Sequence, residues 1–195
     1  MATRLGSRIG RALLPRRRRG LARDERGATL VEFGLLAPIF FAIVGAILET
    51  SVVFLSGQIL DSAVQDVGRL IRTGQAQGTI VSDADFRDEI CSRLYGLFPN
   101  CESGLFVDVQ TIANFDATSI SAPVNWDCDG LTTDECAEWT RDPAYTAGGG
   151  SSIMLLQVYY KWPLMLNMFD ATMSNLPTGE RLLGASTVFR NEPFS

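Results

Sequence analysis

Four cysteines carry the most distinctive chemistry in this chain. Nine residues separate the first two and seven separate the last two, at Cys91, Cys101, Cys128 and Cys136. These spacings match no common zinc pattern, so disulfides are the favoured chemistry. Four cysteines allow three pairings. We favour Cys91–Cys101 and Cys128–Cys136, because each of these bridges closes a short local loop.

Other side chains that support catalysis or cofactor binding are poorly represented. The chain has no histidine, which removes Ser-His-Asp and Cys-His catalysis and the most frequent metal ligand. Neither a P-loop nor a dinucleotide-binding glycine pattern is present. One acidic cluster could suggest a calcium site, but it lacks the ligand spacing of an EF-hand loop. We therefore interpret it as a solvated loop; its members are Asp127, Asp129, Asp134, Glu135 and Glu138. We therefore expect neither an enzyme nor a bound cofactor or metal.

A glycine and a carboxylate stand just before a long apolar run. The stretch Arg26-Gly27-Ala28-Thr29-Leu30-Val31-Glu32-Phe33 leads into apolar sequence that reaches Leu55. As a helix, residues 30–55 would be about 38 Å long, enough to cross a hydrocarbon core of about 30 Å. Cleavage after Gly27 would leave this helix on the mature chain, unlike cleavage of a secretory signal peptide. Glu49 falls near the far interface and is interpreted as a membrane-edge carboxylate.

This arrangement resembles a known class of signal. A basic leader, Gly27, a small residue, Glu32, Phe33 and an apolar helix are similar to a type IV pilin-class signal. The form Arg-Gly-Ala-x-x-Val-Glu-Phe, followed by Leu-Leu-Ala-Pro, resembles the TadE-like pseudopilins found with tight-adherence (Flp) pili of bacteria. The close resemblance covers about residues 26–70, and the cysteine-bearing part is similar in a less specific way.

The resemblance implies processing and assembly roles for these residues. A prepilin peptidase would cut between Gly27 and Ala28 on the cytoplasmic face. Ala28 would then have a free α-amine, and Glu32, one helical turn away, would pair with that amine or with a neighbour's. Phe33 would belong to the same assembling helix. The implied partners are the peptidase, other pilins or pseudopilins, and the assembly machinery.

Charge is distributed very unevenly along the chain. Residues 1–27 contain nine Arg against Asp24 and Glu25, whereas the remainder contains 8 basic and 20 acidic residues. Basic clusters beside a span stay inside, so the N-terminus is predicted to be cytoplasmic at a bacterial inner membrane and the rest periplasmic. Disulfides persist in that compartment. An Arg-rich arm also suggests nucleic acid, but this arm abuts a span and has no recognition fold, so no nucleic-acid partner is expected.

Periodicity predicts the elements that position these residues. One helix over about residues 28–73 has an apolar half and then an amphipathic half, with a kink or melted turn at Pro38 and an end at Gly74. Ser82 is predicted to cap a second helix that Pro99 ends. Three strands follow, at residues 105–112, 153–162 and 182–190. Residues 164–176 are predicted to form a short helix or an irregular excursion.

These elements predict an α+β, pilin-like fold with a small antiparallel sheet of about three strands packed on the amphipathic half of the first helix. The expected parts are a leader (1–27), a transmembrane helix (28–56) and a periplasmic domain (57–195) with a long surface loop (114–150). Together with the resemblance, they favour a minor pseudopilin or assembly protein of a tight-adherence pilus. The alternative is an unprocessed, membrane-anchored binding module, and the N-terminal residue of the mature chain distinguishes the two.

Overall fold

The computed structural model describes residues 27–165 and 173–194, and its elements confirm the α+β class. The helices are α1 (Ala28–Arg72), α2 (Asp83–Arg93), α3 (Cys101–Gly104) and α4 (Thr133–Ala137). The strands are β1 (Leu105–Ile112), β2 (Ala144–Tyr145), β3 (Ile153–Trp162) and β4 (Arg181–Arg190). The predicted leader, except for Gly27, and most of the predicted excursion at residues 164–176 lie outside the described residues.

Helix α1 is the longest element, at 45 residues. The sequence predicted a kink or a melted turn at Pro38; the helix continues through this residue, so no turn is melted there. Gly74 follows its end with a φ of +76°, a left-handed conformation that commonly terminates helices. The chain divides into two units, Met1–Ala42 and Ile43–Ser195, and the second contains the remainder of α1 and every other element.

The sheet has four strands in the order β2-β1-β3-β4. Strand β3 pairs antiparallel with β1 and with β4, and these three strands begin and end within one residue of the predicted positions. Strand β2 was not predicted. It has two residues, pairs parallel to β1 and makes the sheet mixed. Two residues are too few to establish an alternating pattern, so no periodicity predicts this strand.

The core lies between the inner face of the sheet and the second half of α1. Along α1, burial begins at Val53 and recurs at three- and four-residue spacing through Leu60, Val64 and Val67 to Ile71. This is the amphipathic half that the sequence predicted. Helix α2 adds Phe86 and Ile90 to the same core; the side chains from the sheet are Leu105, Val107, Val109, Met154, Leu156, Val158, Tyr160, Trp162, Leu183 and Ala185.

Helix α2 has the predicted start and an earlier end. The Ser82 side chain accepts a hydrogen bond from the Asp85 N–H, and the Asp85 carboxylate accepts one from the Ser82 N–H. The hydrogen bond from the Ser82 hydroxyl is the main cause of a lowered pKa for Asp85. The helix ends at Arg93 and not at Pro99, because Tyr95 (φ +53°) and Gly96 (φ +71°) turn the chain away.

The outer face of the sheet contacts the surface loop predicted at residues 114–150, and the sequence did not predict this contact. Strand β1 is buried on both faces, with Phe106 and Asp108 on the side opposite to the core cluster. Trp139 packs on Phe106 with ring centroids 5.2 Å apart, and Arg141 donates to the Asp108 carboxylate at 3.2 Å. The loop therefore covers part of this face, and it includes α4.

Candidate functional site

The proposed processing residues stand at the exposed beginning of α1. Gly27 directly precedes the helix, and a Cβ added to it would meet no atom within 4 Å. Ala28 is the first helical residue, and Glu32 lies four residues later on the same helical face. Both are exposed, and Phe33 is 65% exposed. Among the described residues, nothing crowds the Gly27 position, and the Glu32 carboxylate lies within one helical turn of Ala28.

An exposed apolar surface continues along α1. Exposed large apolar residues run from Leu30 (76%) to Leu55 (55%). This is the one helix of the described residues that is long and apolar enough to cross a membrane. Its most apolar stretch is not buried by other described residues. The exposed surface fits a single-pass membrane anchor, because lipid would replace water around these side chains.

Glu49 has a structural role that sequence reasoning missed. Its carboxylate accepts a hydrogen bond from the backbone N–H of Met165, in the connection between β3 and β4. One residue further along α1, the Thr50 hydroxyl lies 3.4 Å from the Met173 sulfur. This hydrogen bond from Met165 to Glu49 therefore holds the connection against α1. A carboxylate that interrupts an apolar run signals a need for a polar partner, but nothing in the local sequence identifies that partner as a backbone group 116 residues away.

A groove of about 490 Å³ lies between α1 and the start of β4. Its helix side includes Phe54, Gly57 and Asp61, and its strand side includes Arg181 and Gly184. Gly184 is required by close packing, since a Cβ there would come within 2.9 Å of the Tyr159 ring. The lining combines apolar side chains with the polar Thr50 and Gln58, one acidic side chain and one basic side chain.

Both cysteine pairs are joined in the way that the spacing favoured. Cys91 bonds to Cys101 with their Cα atoms 5.9 Å apart, and Cys128 bonds to Cys136 with a Cα separation of 5.6 Å. The first bridge ties the end of α2 to α3, which directly precedes β1. The second holds α4 in the loop over the outer face of the sheet. All four cysteines are thus structural.

Lys161, on strand β3, attaches the loop to the sheet through contacts with Trp139 and its neighbours. The Lys161 ammonium lies 4.2 Å from the centre of the Trp139 ring and donates to the carbonyl oxygens of Ala137 and Glu138. Burial lowers the pKa of Lys161 from its usual value. A shifted pKa can mark a functional group, but these contacts account for the lysine as a structural anchor. Across residues 27–165 and 173–194, no group of three or more metal-ligating side chains comes together.

Comparison with known proteins identifies one similarity. The family model described as TadE-like protein matches residues 27–69. The match begins at Gly27, spans the exposed apolar surface and ends within the half of α1 that packs on the sheet. It confirms the resemblance derived from the Arg-Gly-Ala-x-x-Val-Glu-Phe motif. No curated protein and no solved structure matched the chain.

Proposed function

We propose that this chain is a minor pseudopilin or assembly protein of a tight-adherence (Flp) pilus. In this role it is cut after Gly27 by a prepilin peptidase and associates with other pilins through α1. The match to the TadE-like family over residues 27–69 is the observation that carries the proposal. Together with the apolar helix, it fits a membrane protein associated with the Tad pilus.

The geometry of the first helical turns supports the processing step. The Gly27–Ala28 bond precedes the first turn of α1, and no side chain of the described residues 27–165 and 173–194 crowds Gly27. A peptidase at the membrane surface needs such access to backbone, and glycine provides it because it has no Cβ. Processing removes the Arg-rich leader and leaves a chain that begins with the apolar half of α1.

The exposed apolar surface supports the association step. Helices pack together in a membrane or filament when their surfaces are free, and the part of α1 before Glu49 has large apolar side chains around its circumference, including Phe33, Phe40 and Ile47. Glu32 is a carboxylate within this surface, and a charge in apolar surroundings needs a partner. The new amine at Ala28, of the same chain or of a neighbour, supplies the opposite charge.

The second candidate is an unprocessed, membrane-anchored binding module. The groove between α1 and β4 favours it, since its apolar walls with Asp61 and Arg181 suit a protein ligand. In that case the Arg-rich leader remains attached and serves to orient the anchor. The two candidates therefore differ at the N-terminus of the mature chain.

N-terminal sequencing of the membrane-bound protein tests the proposal. We expect the chain to begin at Ala28, and Gly27→Leu to keep its full length while still inserting in the membrane, because the leucine side chain obstructs the bond. Gly34→Leu is the matched control, since a Cβ at Gly34 also meets nothing within 4 Å; it should be processed normally. An intact Met1 end in cells that assemble pili would favour the binding module instead.

A further inference from the structure

The connection between β3 and β4 returns to α1 beside Glu49. Strand β3 ends at Trp162, and three residues later the Met165 N–H donates to the Glu49 carboxylate. The described chain resumes at Met173, whose sulfur lies beside the Thr50 hydroxyl. The two described ends of the connection therefore meet α1 at adjacent residues, which fixes their position along the helix.

That position lies within the apolar surface of α1. Ile47 and Leu48, just before Glu49, are each 60% exposed, and Phe54 and Leu55, just after it, are 67% and 55% exposed. Glu49 lies 19 residues past Leu30, or about 28 Å along a helix, which corresponds to the outer edge of a hydrocarbon core that begins near Leu30. The connection thus meets the helix where the membrane ends and not further into water.

Met165 is the most exposed large apolar side chain in the described part of this chain, at 89%. Its backbone is held by Glu49, whereas its neighbour Leu164 is half-buried and packs on the core. The fold therefore fixes an apolar side chain, unsupported by protein, at the depth of the membrane interface. Unbranched thioether side chains adapt to irregular apolar surroundings, and such surroundings are what the boundary between headgroups and acyl chains provides.

We propose that Met165 is a second point of membrane contact, which inserts into the outer phospholipid surface beside the span. This inference rests on the membrane insertion of α1 in the proposed function. Two attachments, α1 and Met165, would limit rotation of the sheet about the helix axis and hold the groove at Asp61 and Arg181 in one direction relative to the membrane. Because the chain after residue 27 is acidic overall, the contact depends on apolar burial and not on anionic lipid.

Spin labels on the full chain in lipid nanodiscs test this contact. Both native cysteine pairs are in disulfides, so single substitutions Met165→Cys, Phe40→Cys and Val81→Cys each provide one free thiol for a nitroxide. Phe40 is 61% exposed and lies ten residues past Leu30, about 15 Å along the helix, so it is the reference for lipid. Val81 is 73% exposed and follows the far end of α1, so it is the reference for water. The readout is relaxation by oxygen, which concentrates in lipid, relative to a water-soluble nickel chelate.

We expect the oxygen-to-nickel ratio at position 165 to be several-fold higher than at position 81 and lower than at position 40. The ratio should be the same in phosphatidylcholine nanodiscs and in nanodiscs that also contain phosphatidylglycerol. If the label at 165 matches that at 81 while the label at 40 is in lipid, the second contact is wrong and the membrane anchor stands. If the label at 40 is also water-accessible, the anchor itself fails.

A label at 165 that both relaxants fail to reach would mean that protein, such as a neighbouring copy, covers this position, and it would overturn the proposal.

Met165→Leu and Met165→Asp provide a second measurement that needs no label. Protease protection of the membrane-facing side of the sheet should persist with Leu and be lost with Asp. Equal protection in the two variants would contradict the contact, provided that both disulfides are formed in each.

Discussion

Glu32 is the residue on which the assembly hypothesis depends most directly. It is exposed on α1, four residues after Ala28, in a surface that otherwise lacks charge up to Glu49. The peptidase needs the Gly27–Ala28 bond, whereas the carboxylate becomes necessary when helices pack in apolar surroundings. Cutting and assembling should therefore respond differently to substitutions at these two positions.

Glu32→Ala is expected to be processed but to fail to associate with partner pilins. Loss of the carboxylate leaves the Ala28 amine without its counter-charge, and leaving one partner of a buried pair alone costs about 3–5 kcal/mol. The measurements are the electrophoretic shift that accompanies loss of the leader and co-purification of partner subunits. Glu32→Gln keeps the shape of the side chain but removes its charge, and this variant should also fail to associate with partner pilins.

Asp66→Ala is a matched control, because Asp66 is an exposed carboxylate on the amphipathic half of the same helix. It should be processed and should associate normally. Normal association of a processed Glu32→Ala chain would leave Glu32 as an ordinary carboxylate at the membrane edge.

At the scale of elements, local sequence patterns predicted the positions of the longer strands. Strands β1 and β3 were located to the residue, because β-branched, aromatic and alternating residues persist over 8 and 10 positions. The features that the sequence did not predict depend on tertiary contacts. Strand β2 exists through its pairing with β1, and the loop covers the outer face through contacts to β1 and β3. One signal was available: Asp108 stands between Val107 and Val109 in a strand, and a carboxylate buried there requires a partner.

Arg141→Met tests whether this loop stabilises the sheet. The substitution keeps much of the side-chain length but leaves the Asp108 carboxylate, 10% exposed, without its guanidinium. A buried polar group left without a partner costs about 1–3 kcal/mol. We expect the free energy of unfolding to fall by that amount in denaturant titrations of the full chain in micelles. Fluorescence of Trp139 should report the change, because this ring packs on Phe106.

The control for Arg141→Met is Arg87→Met, which breaks an ion pair within one helix, to Asp83 at 2.7 Å. Such pairs contribute about 0.3–0.5 kcal/mol. The double variant Arg141→Met with Asp108→Leu should recover part of the lost stability, since no charge is then left buried. A loss no larger than that of Arg87→Met would mean that the loop rests on the sheet without stabilising it.

At the scale of the whole molecule, charge and disulfides make the same prediction about compartment. The Arg-rich residues before α1 predict a cytoplasmic N-terminus, and both cysteine pairs lie after the span, where that orientation places an oxidising environment. Each bridge closes about ten residues and contributes about 2–3 kcal/mol in the loop-entropy model. The orientation of the chain therefore determines whether the disulfides that stabilise α2, α3 and the loop can form. It also determines the compartment in which partners bind.

A reporter that is active only outside the cytoplasm, fused after Ser195, should be active in this chain. The same protein should contain no free thiols, and non-reducing peptide analysis should recover 91–101 and 128–136 as the joined pairs. Replacing Arg16, Arg17, Arg18 and Arg19 with Asn removes much of the charge that retains the N-terminus, and should lower both reporter activity and the oxidised fraction together. Because the two readouts depend on one orientation, an active reporter on a chain with four free thiols would refute the disulfide account while leaving the topology intact. An inactive but stable fusion would reverse the orientation itself.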